Sequence, residues 1–202
     1  SLPPICMNKH LKIAAALLAA LPTLVIAQVR TKHTFEKGWK FTREDDKNFS
    51  QKQYDDAKWQ SVTVPHDWAI YGPFSIDNDK QNVAITQDGQ KEAMEHAGRT
   101  GGLPFVGVGW YRLNFEVPGF SSGKKATLIL DGAMSHARVY INGQEAGYWP
   151  YGYNSFRIDA TPYLKAGEQN TLAIRLENET ESSRWYPGAG LYRNVHLVIN
   201  ED

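Results

Sequence analysis

Trp110-Tyr111-Arg112-Leu113-Asn114-Phe115-Glu116-Val117-Pro118-Gly119 alternates apolar and polar side chains, with Tyr111, Leu113, Phe115 and Val117 on one face and Arg112, Asn114 and Glu116 on the other. A period of two belongs to a half-buried strand, and the Pro-Gly pair ends it. Working outward, residues 59–64 read as an earlier strand before Pro65, and 126–130 as a short apolar run closed by Asp131-Gly132. Ala137, Val139 and Ile141 alternate with Arg138 and Tyr140 up to Asn142-Gly143. That dipeptide signals a hairpin, because a type I′ turn needs positive φ at both central residues. Residues 171–176, with Leu172, Ile174 and Leu176 on one face, and residues 194–199 read as further strands. Helical periodicity is weak: residues 87–97 could form two or three turns, but Gly89 and the polarity of the stretch argue against it. Short strands with turn chemistry between them predict an all-β fold, an antiparallel β-sandwich of jelly-roll type. The exception is a long, polar, glycine-containing insertion at about 70–108, and long ordered loops on sandwiches usually carry function or contacts.

The chain of 202 residues is most simply one domain with a leader. Met7-Asn8-Lys9-His10-Leu11-Lys12 is a short basic region, residues 13–21 are apolar, Pro22 breaks the run, and Val25-Ile26-Ala27 offers a cleavage site before Gln28. Residues 1–27 therefore read as upstream residues plus a signal peptide, helical in its apolar part, and 28–202 as the folded domain. The apolar run is too short for a comfortable transmembrane helix. Ser1 to Cys6 precede a natural-looking start at Met7, which suggests a misplaced start. Removing the leader takes away Cys6, the only cysteine, so the domain must be held by its core. Export without disulfides fits a bacterial periplasm or secretion. The formal net charge is +0 with no basic block, which gives a nucleic-acid partner no electrostatic support.

The densest chemistry is Arg184-Trp185-Tyr186-Pro187-Gly188-Ala189-Gly190-Leu191-Tyr192-Arg193-Asn194-Val195, just before the last strand. Proline and glycine fix a loop's shape, and a rigid loop bearing aromatics and guanidinium groups suits a flat polar ligand such as a sugar ring. A plug at one end of the sandwich is the competing reading, and the residues alone leave both open. The six histidines, at 10, 33, 66, 96, 136 and 196, lack metal-ligand spacing, so no metal or other cofactor is expected. Gly101-Gly102 and Gly107-Val108-Gly109 precede a strand, whereas a phosphate cradle needs a helix N-terminus. His66-Asp67 as part of a triad is disfavoured, because adjacent residues in a turn more often satisfy local backbone groups. Glu177, Glu179 and Glu181 would share a face if their strand continued, and Asp55-Asp56 and Glu44-Asp45-Asp46 are local clusters. None has the apolar setting that splits the pKa values of a glycosidase pair, so solvated acids are the simpler reading.

Five segments together resemble the N-terminal sugar-binding domain of glycoside hydrolase family 2, the β-galactosidase, β-glucuronidase and β-mannosidase group. They are Val64-Pro65-His66-Asp67-Trp68, Gly107-Val108-Gly109-Trp110-Tyr111-Arg112, Ile141-Asn142-Gly143-Gln144-Glu145-Ala146-Gly147, Tyr163-Leu164 with Gly167, Asn170 and Leu172, and the Arg184 stretch. They occur in family order over roughly Phe35 to Ile199, and the insertion with Gly98-Arg99-Thr100-Gly101-Gly102-Leu103-Pro104 is similar to exported β-galactosidase-type members. The resemblance implies a galactose-binding-domain-like jelly roll, normally followed by an immunoglobulin-like domain and a TIM barrel that carries both catalytic glutamates. It therefore implies a fragment with no catalytic residue of its own, inactive alone, whose partners are those missing domains and a carbohydrate substrate. It also implies that Arg184 bonds sugar hydroxyls or a neighbouring acid, and that Trp185 or Tyr186 stacks on a ring face. Asp67 and Trp68 are expected mainly to hold the sandwich edge, with Asp67 a further candidate for the sugar site, and Arg193 to pair within the sandwich. A freestanding carbohydrate-binding module is the alternative, and a purely architectural domain a third reading.

Overall fold

The computed structural model describes residues 30–75, 77, 78, 80–96, 105, 107–121, 123–179 and 188–201. The expected signal segment, and Arg184, Trp185 and Tyr186, lie outside the described residues. In chain order the strands are β1 (Arg30–Thr34), β2 (Trp39–Thr42), β3 (Gln60–Val62), β4 (Gln81–Val83), β5 (Met94–His96), β6 (Gly107–Phe115), β7 (Lys124–Leu130), β8 (Ala137–Ile141), β9 (Gln144–Trp149), β10 (Phe156–Asp159), β11 (Asn170–Asn178) and β12 (Val195–Glu201). They pair in a six-stranded sheet of order β3-β2-β6-β11-β8-β9, a four-stranded sheet of order β1-β12-β7-β10 and the small hairpin β4-β5. Each of these pairings is antiparallel. The jelly-roll sandwich expected from the alternation is the fold.

The two large sheets bury their apolar faces against each other. Tyr111, Leu113 and Phe115 of β6, Val139 and Ile141 of β8, and Leu172, Ile174 and Leu176 of β11 line one side of the core. Leu128 and Leu130 of β7, Ile158 of β10, and Val195, Leu197 and Ile199 of β12 belong to the same cluster. Each fully buried aliphatic side chain contributes about 1.5–3 kcal/mol relative to exposure, and this has to offset the ordering of the chain without any disulfide. The β8–β9 hairpin closes through Asn142 at φ 53° and Gly143 at φ 85°, the double positive φ that Asn-Gly supplies. Asn142 also reaches inward: its Nδ2 donates to the Tyr163 carbonyl at 2.9 Å and its Oδ1 accepts from the Thr171 N–H at 3.0 Å.

The outer face of the six-stranded sheet is not simply wet. Residues between β2 and β3 fold over it, and Phe49 and Trp59 pack with Trp110 and Ala173 in a second buried cluster. Fully buried Arg112 fastens this cover, its Nε donating to Asp56 and its remaining nitrogens to the carbonyls of Phe49, Gln51 and Tyr54.

In the stretch where Gly89 and polarity argued against a helix, the chain forms a 3-10 turn at Thr86–Asp88 and strand β5, with Gly89 at φ 78° outside the helical region. Other expectations are corrected. Asp56 and Asp45 are ion-paired, to Arg112 and Arg175, rather than merely solvated. The 177, 179, 181 alternation stops with β11 at Asn178, Glu177 pairs with Arg175, and Glu181 lies outside the described residues. Arg193 is exposed and makes no ion pair among the described residues; its aliphatic stem packs beside Gly132.

Candidate functional site

Residues 64–69 leave β3 and run beside residues 189–191, the C-terminal base of the aromatic loop. The backbone N–H of His66 donates to the Leu191 carbonyl at 2.7 Å, and that of Trp68 to the Ala189 carbonyl at 3.0 Å. Asp67 sits between them and caps a 3-10 turn, Trp68–Tyr71. Its Oδ1 accepts from the N–H of Ala69 and from the N–H of Ala189, both at 2.9 Å. One carboxylate oxygen thus joins a local turn to a segment 122 positions away. Hydrogen bonds to a charged acceptor are about twice as strong as neutral ones, which makes aspartate the effective residue here.

Three further contacts complete the clamp. Asn178, the last residue of β11, donates from Nδ2 to the Gly188 carbonyl at 2.6 Å. Gly190 and Met134 exchange two backbone hydrogen bonds, at 3.0 and 3.1 Å. Gly190 has φ 108°, and a side chain there would lie 2.6 Å from the His66 carbonyl and collide with the Tyr111 hydroxyl. The loop base therefore requires glycine both for backbone conformation and for space.

Tyr111 is the inner post. Its ring is wholly buried, and burial holds the phenol well above its usual pKa. The Tyr111 hydroxyl and His66 Nδ1 share a hydrogen bond at 2.7 Å. Burial and then the Arg43 charge hold the His66 pKa below its ordinary value. His66 lies 5.8 Å from the Tyr71 ring in a stacked pair and borders an open groove of about 580 Å³ with Lys37, Gln60 and Val62. With His66 Nδ1 committed to Tyr111 and Asp67 Oδ1 to two amides, the adjacent pair has no triad geometry. The Asp45 carboxyl is held below its usual range by its bond to Arg175, the opposite of what an acid catalyst needs.

Of the four predicted ligand residues, Asp67 stands in the loop clamp, and Arg184, Trp185 and Tyr186 lie outside the described residues. Their flanks are placed: Asn178 and Gly188 are tied together, so the stretch that carries them starts and ends at one rim of the sandwich. Sequence reasoning missed Tyr111, Asn178 and Met134 as members of this clamp. The available signal was Tyr111 itself, a hydroxyl on an otherwise apolar strand face, since a buried tyrosine usually finds a partner.

The fold is an antiparallel jelly-roll sandwich in which residues 188–191 are clamped against residues 66–69 and the end of β11. Residues 33–200 match the sugar binding domain of glycosyl hydrolases family 2, and the chain belongs to that family. It is 39% identical over 181 residues, 89% of its length, to β-galactosidase BoGH2A of Bacteroides ovatus, of which it covers 19%. It is 36% identical to a putative β-glucuronidase of Formosa agariphila, covering 84% of this chain and 15% of that one. Among solved structures, a β-glycosidase from Bacteroides vulgatus superposes with TM-score 0.68 at 33% identity, over 84% of this chain and 20% of that one. A glycosyl hydrolase family 2 member from Bacteroides cellulosilyticus gives TM-score 0.71 at 29% identity, with 84% and 20% covered. The chain therefore spans about a fifth of the length of the relatives it matches.

Proposed function

We propose that this chain is the sugar-binding portion of an exported β-galactosidase-type glycoside hydrolase, with bond cleavage left to glutamates outside these 202 residues. On this reading Arg184 bonds sugar hydroxyls, Trp185 or Tyr186 stacks on a ring, and the domain helps shape the innermost sugar position of a larger enzyme in the periplasm or outside the cell. The observation that carries it is the Asp67 carboxylate tying the base of the 184–186 stretch to the sandwich rim, since a loop fixed at both ends can hold planar groups at low entropic cost. The likeness to a β-galactosidase at 39% identity supports the choice of galactoside over glucuronide.

The test is steady-state kinetics of the complete enzyme on 4-nitrophenyl β-D-galactopyranoside. Arg184→Ala is expected to lower kcat/KM about tenfold or more, roughly 1.4 kcal/mol of transition-state binding. Unchanged turnover would reduce the domain to an architectural role, and faster hydrolysis of the matching glucuronide would overturn the substrate assignment. The purified 202-residue chain is expected to hydrolyse neither.

A further inference from the structure

β6 sends Tyr111 inward to the loop clamp and its neighbour Trp110 outward, so the two belong to opposite faces of one sheet. On the outward side lies a depression of about 600 Å³, lined by Asp45, Lys47, Asn48, Gln51, Tyr140 and Arg175 among others. That volume is within the range of small-molecule sites, roughly 300–1,000 Å³.

Its floor is rigid. Tyr140 stacks on Trp110 with centroids 5.7 Å apart and planes at 21°, and Trp110 Nε1 is fixed to Asp45 at 2.8 Å. Arg175 is held by Asp45 and Glu177 at 2.8 and 2.7 Å, and Arg138 by Glu145 at 3.1 Å while its guanidinium lies over Tyr148. Tyr140, stacked on Trp110, is only half-buried and lines the depression.

The rim is polar and uncommitted. Among the described residues, the Tyr140 hydroxyl, the side-chain amides of Asn48 and Gln51, and the Lys47 ammonium make no hydrogen bond with the protein. The charges balance, with Lys47, Arg138 and Arg175 against Asp45, Glu145 and Glu177. A fixed aromatic face, free amides, oriented guanidinium groups and no net charge match a ligand with C–H faces and many hydroxyls but no charge of its own.

We propose that this depression is a second carbohydrate-binding site, on the opposite sheet face from Tyr111 and its loop clamp, that takes a segment of neutral glycan with one sugar ring on Tyr140 and its hydroxyls on Asn48, Gln51 and Arg138. Its lining residues come from the outer sheet face and the cover between β2 and β3, and none belongs to the 184–186 stretch.

The experiment is native affinity electrophoresis of the purified protein in gels cast with β-1,4-galactan, xyloglucan or polygalacturonate. Retardation by a neutral polymer is expected, lost at least fivefold in Tyr140→Ala and in the Asn48→Ala, Gln51→Ala double variant, and kept in Arg184→Ala. The double variant changes two exposed side chains, so it reports on binding even if loss of the Tyr140–Trp110 stack weakens the fold. The proposal is overturned by no retardation in either neutral polymer, by retardation in polygalacturonate alone, or by a folded double variant that migrates like the wild type. Loss in Arg184→Ala with none in the outer-face variants would move binding to the loop, overturning this site while leaving the proposed function intact.

Discussion

Replacing Arg112 with methionine tests how the sandwich carries the cover on its outer face. Methionine keeps most of the aliphatic reach and removes the guanidinium. The lost contacts are a 2.9 Å ion pair with Asp56 and bonds to the carbonyls of Phe49, Gln51 and Tyr54. The Arg112 side chain is 1% exposed and that of Asp56 15%, so the remaining carboxylate would be largely cut off from water. Removing one partner of a buried pair costs about 3–5 kcal/mol, and the residual exposure of Asp56 points to the lower end. Carbonyls left without donors add about 1 kcal/mol. A domain of this size loses about 2–4 °C of Tm per kcal/mol, so the expected fall is about 8–16 °C by differential scanning calorimetry. Asp56→Ala with Arg112→Met should be more stable than the sum of the two single losses predicts, because the double variant leaves no orphan charge. A Tm within about 3 °C of wild type for Arg112→Met, or simple additivity, would refute the reasoning, since a fully buried, four-way-bonded cation cannot be that dispensable.

Three shorter tests address the loop clamp. Asp67→Ala removes the shared acceptor of Ala69 and Ala189 and should cost about 2–4 kcal/mol, read in urea unfolding; a midpoint shift too small for about 1 kcal/mol would deny the clamp its energetic role. Gly190→Ala forces a side chain against the His66 carbonyl at an unfavourable φ of 108° and should cost about 2–3 kcal/mol or more; an unchanged melting temperature would contradict the close approach. His66 has a lowered pKa in the fold, so on acidification the unfolded chain takes up that proton first. Stability from this group is full above the ordinary histidine range and is lost as pH falls through it towards the folded value; thermal melts from pH 7.5 to 5.5 should drop, and His66→Gln should flatten the slope.

The sheet interior was readable because alternation is a local signal. Tyr111, Leu113 and Phe115 announced β6, Val139 and Ile141 announced β8, and Asn142-Gly143 announced the turn between β8 and β9, each from side-chain period or turn chemistry alone. Edge elements were not readable in the same way: β1 is polar and mostly exposed, and β4 and β5 are three residues each, too short to establish a period. The sites depended on long-range partners. Asp67 was placed near the rim as an edge-holding residue, but its bond to Ala189 joins segments with no shared pattern. Arg112 occupied the polar side of an alternating strand and therefore looked solvent-facing; only the 43–59 segment folding over it reveals a buried cation. A period of two reports which face a residue takes and says nothing about whether that face is later covered.

That same alternation explains how one strand can serve two surfaces. Leu113 and Tyr111 point into the core, and through His66 and Leu191 Tyr111 reaches the loop base; Trp110 and Arg112 point out and anchor the cover and the polar depression. Because β6 lies in the interior of its sheet, paired to β2 and β11, neither surface can shift without disturbing the ladder between them. Gly109 shows how little slack there is: a methyl group there would come within 2.9 Å of the Phe41 ring and closer still to Trp68, whose backbone N–H is one of the clamp bonds. Gly109→Ala would therefore displace Trp68, at about 1–3 kcal/mol for overpacking, and transmit the shift to Ala189. On the proposed function, closing residues 188–191 onto the sandwich is ordering that the domain completes before a sugar binds.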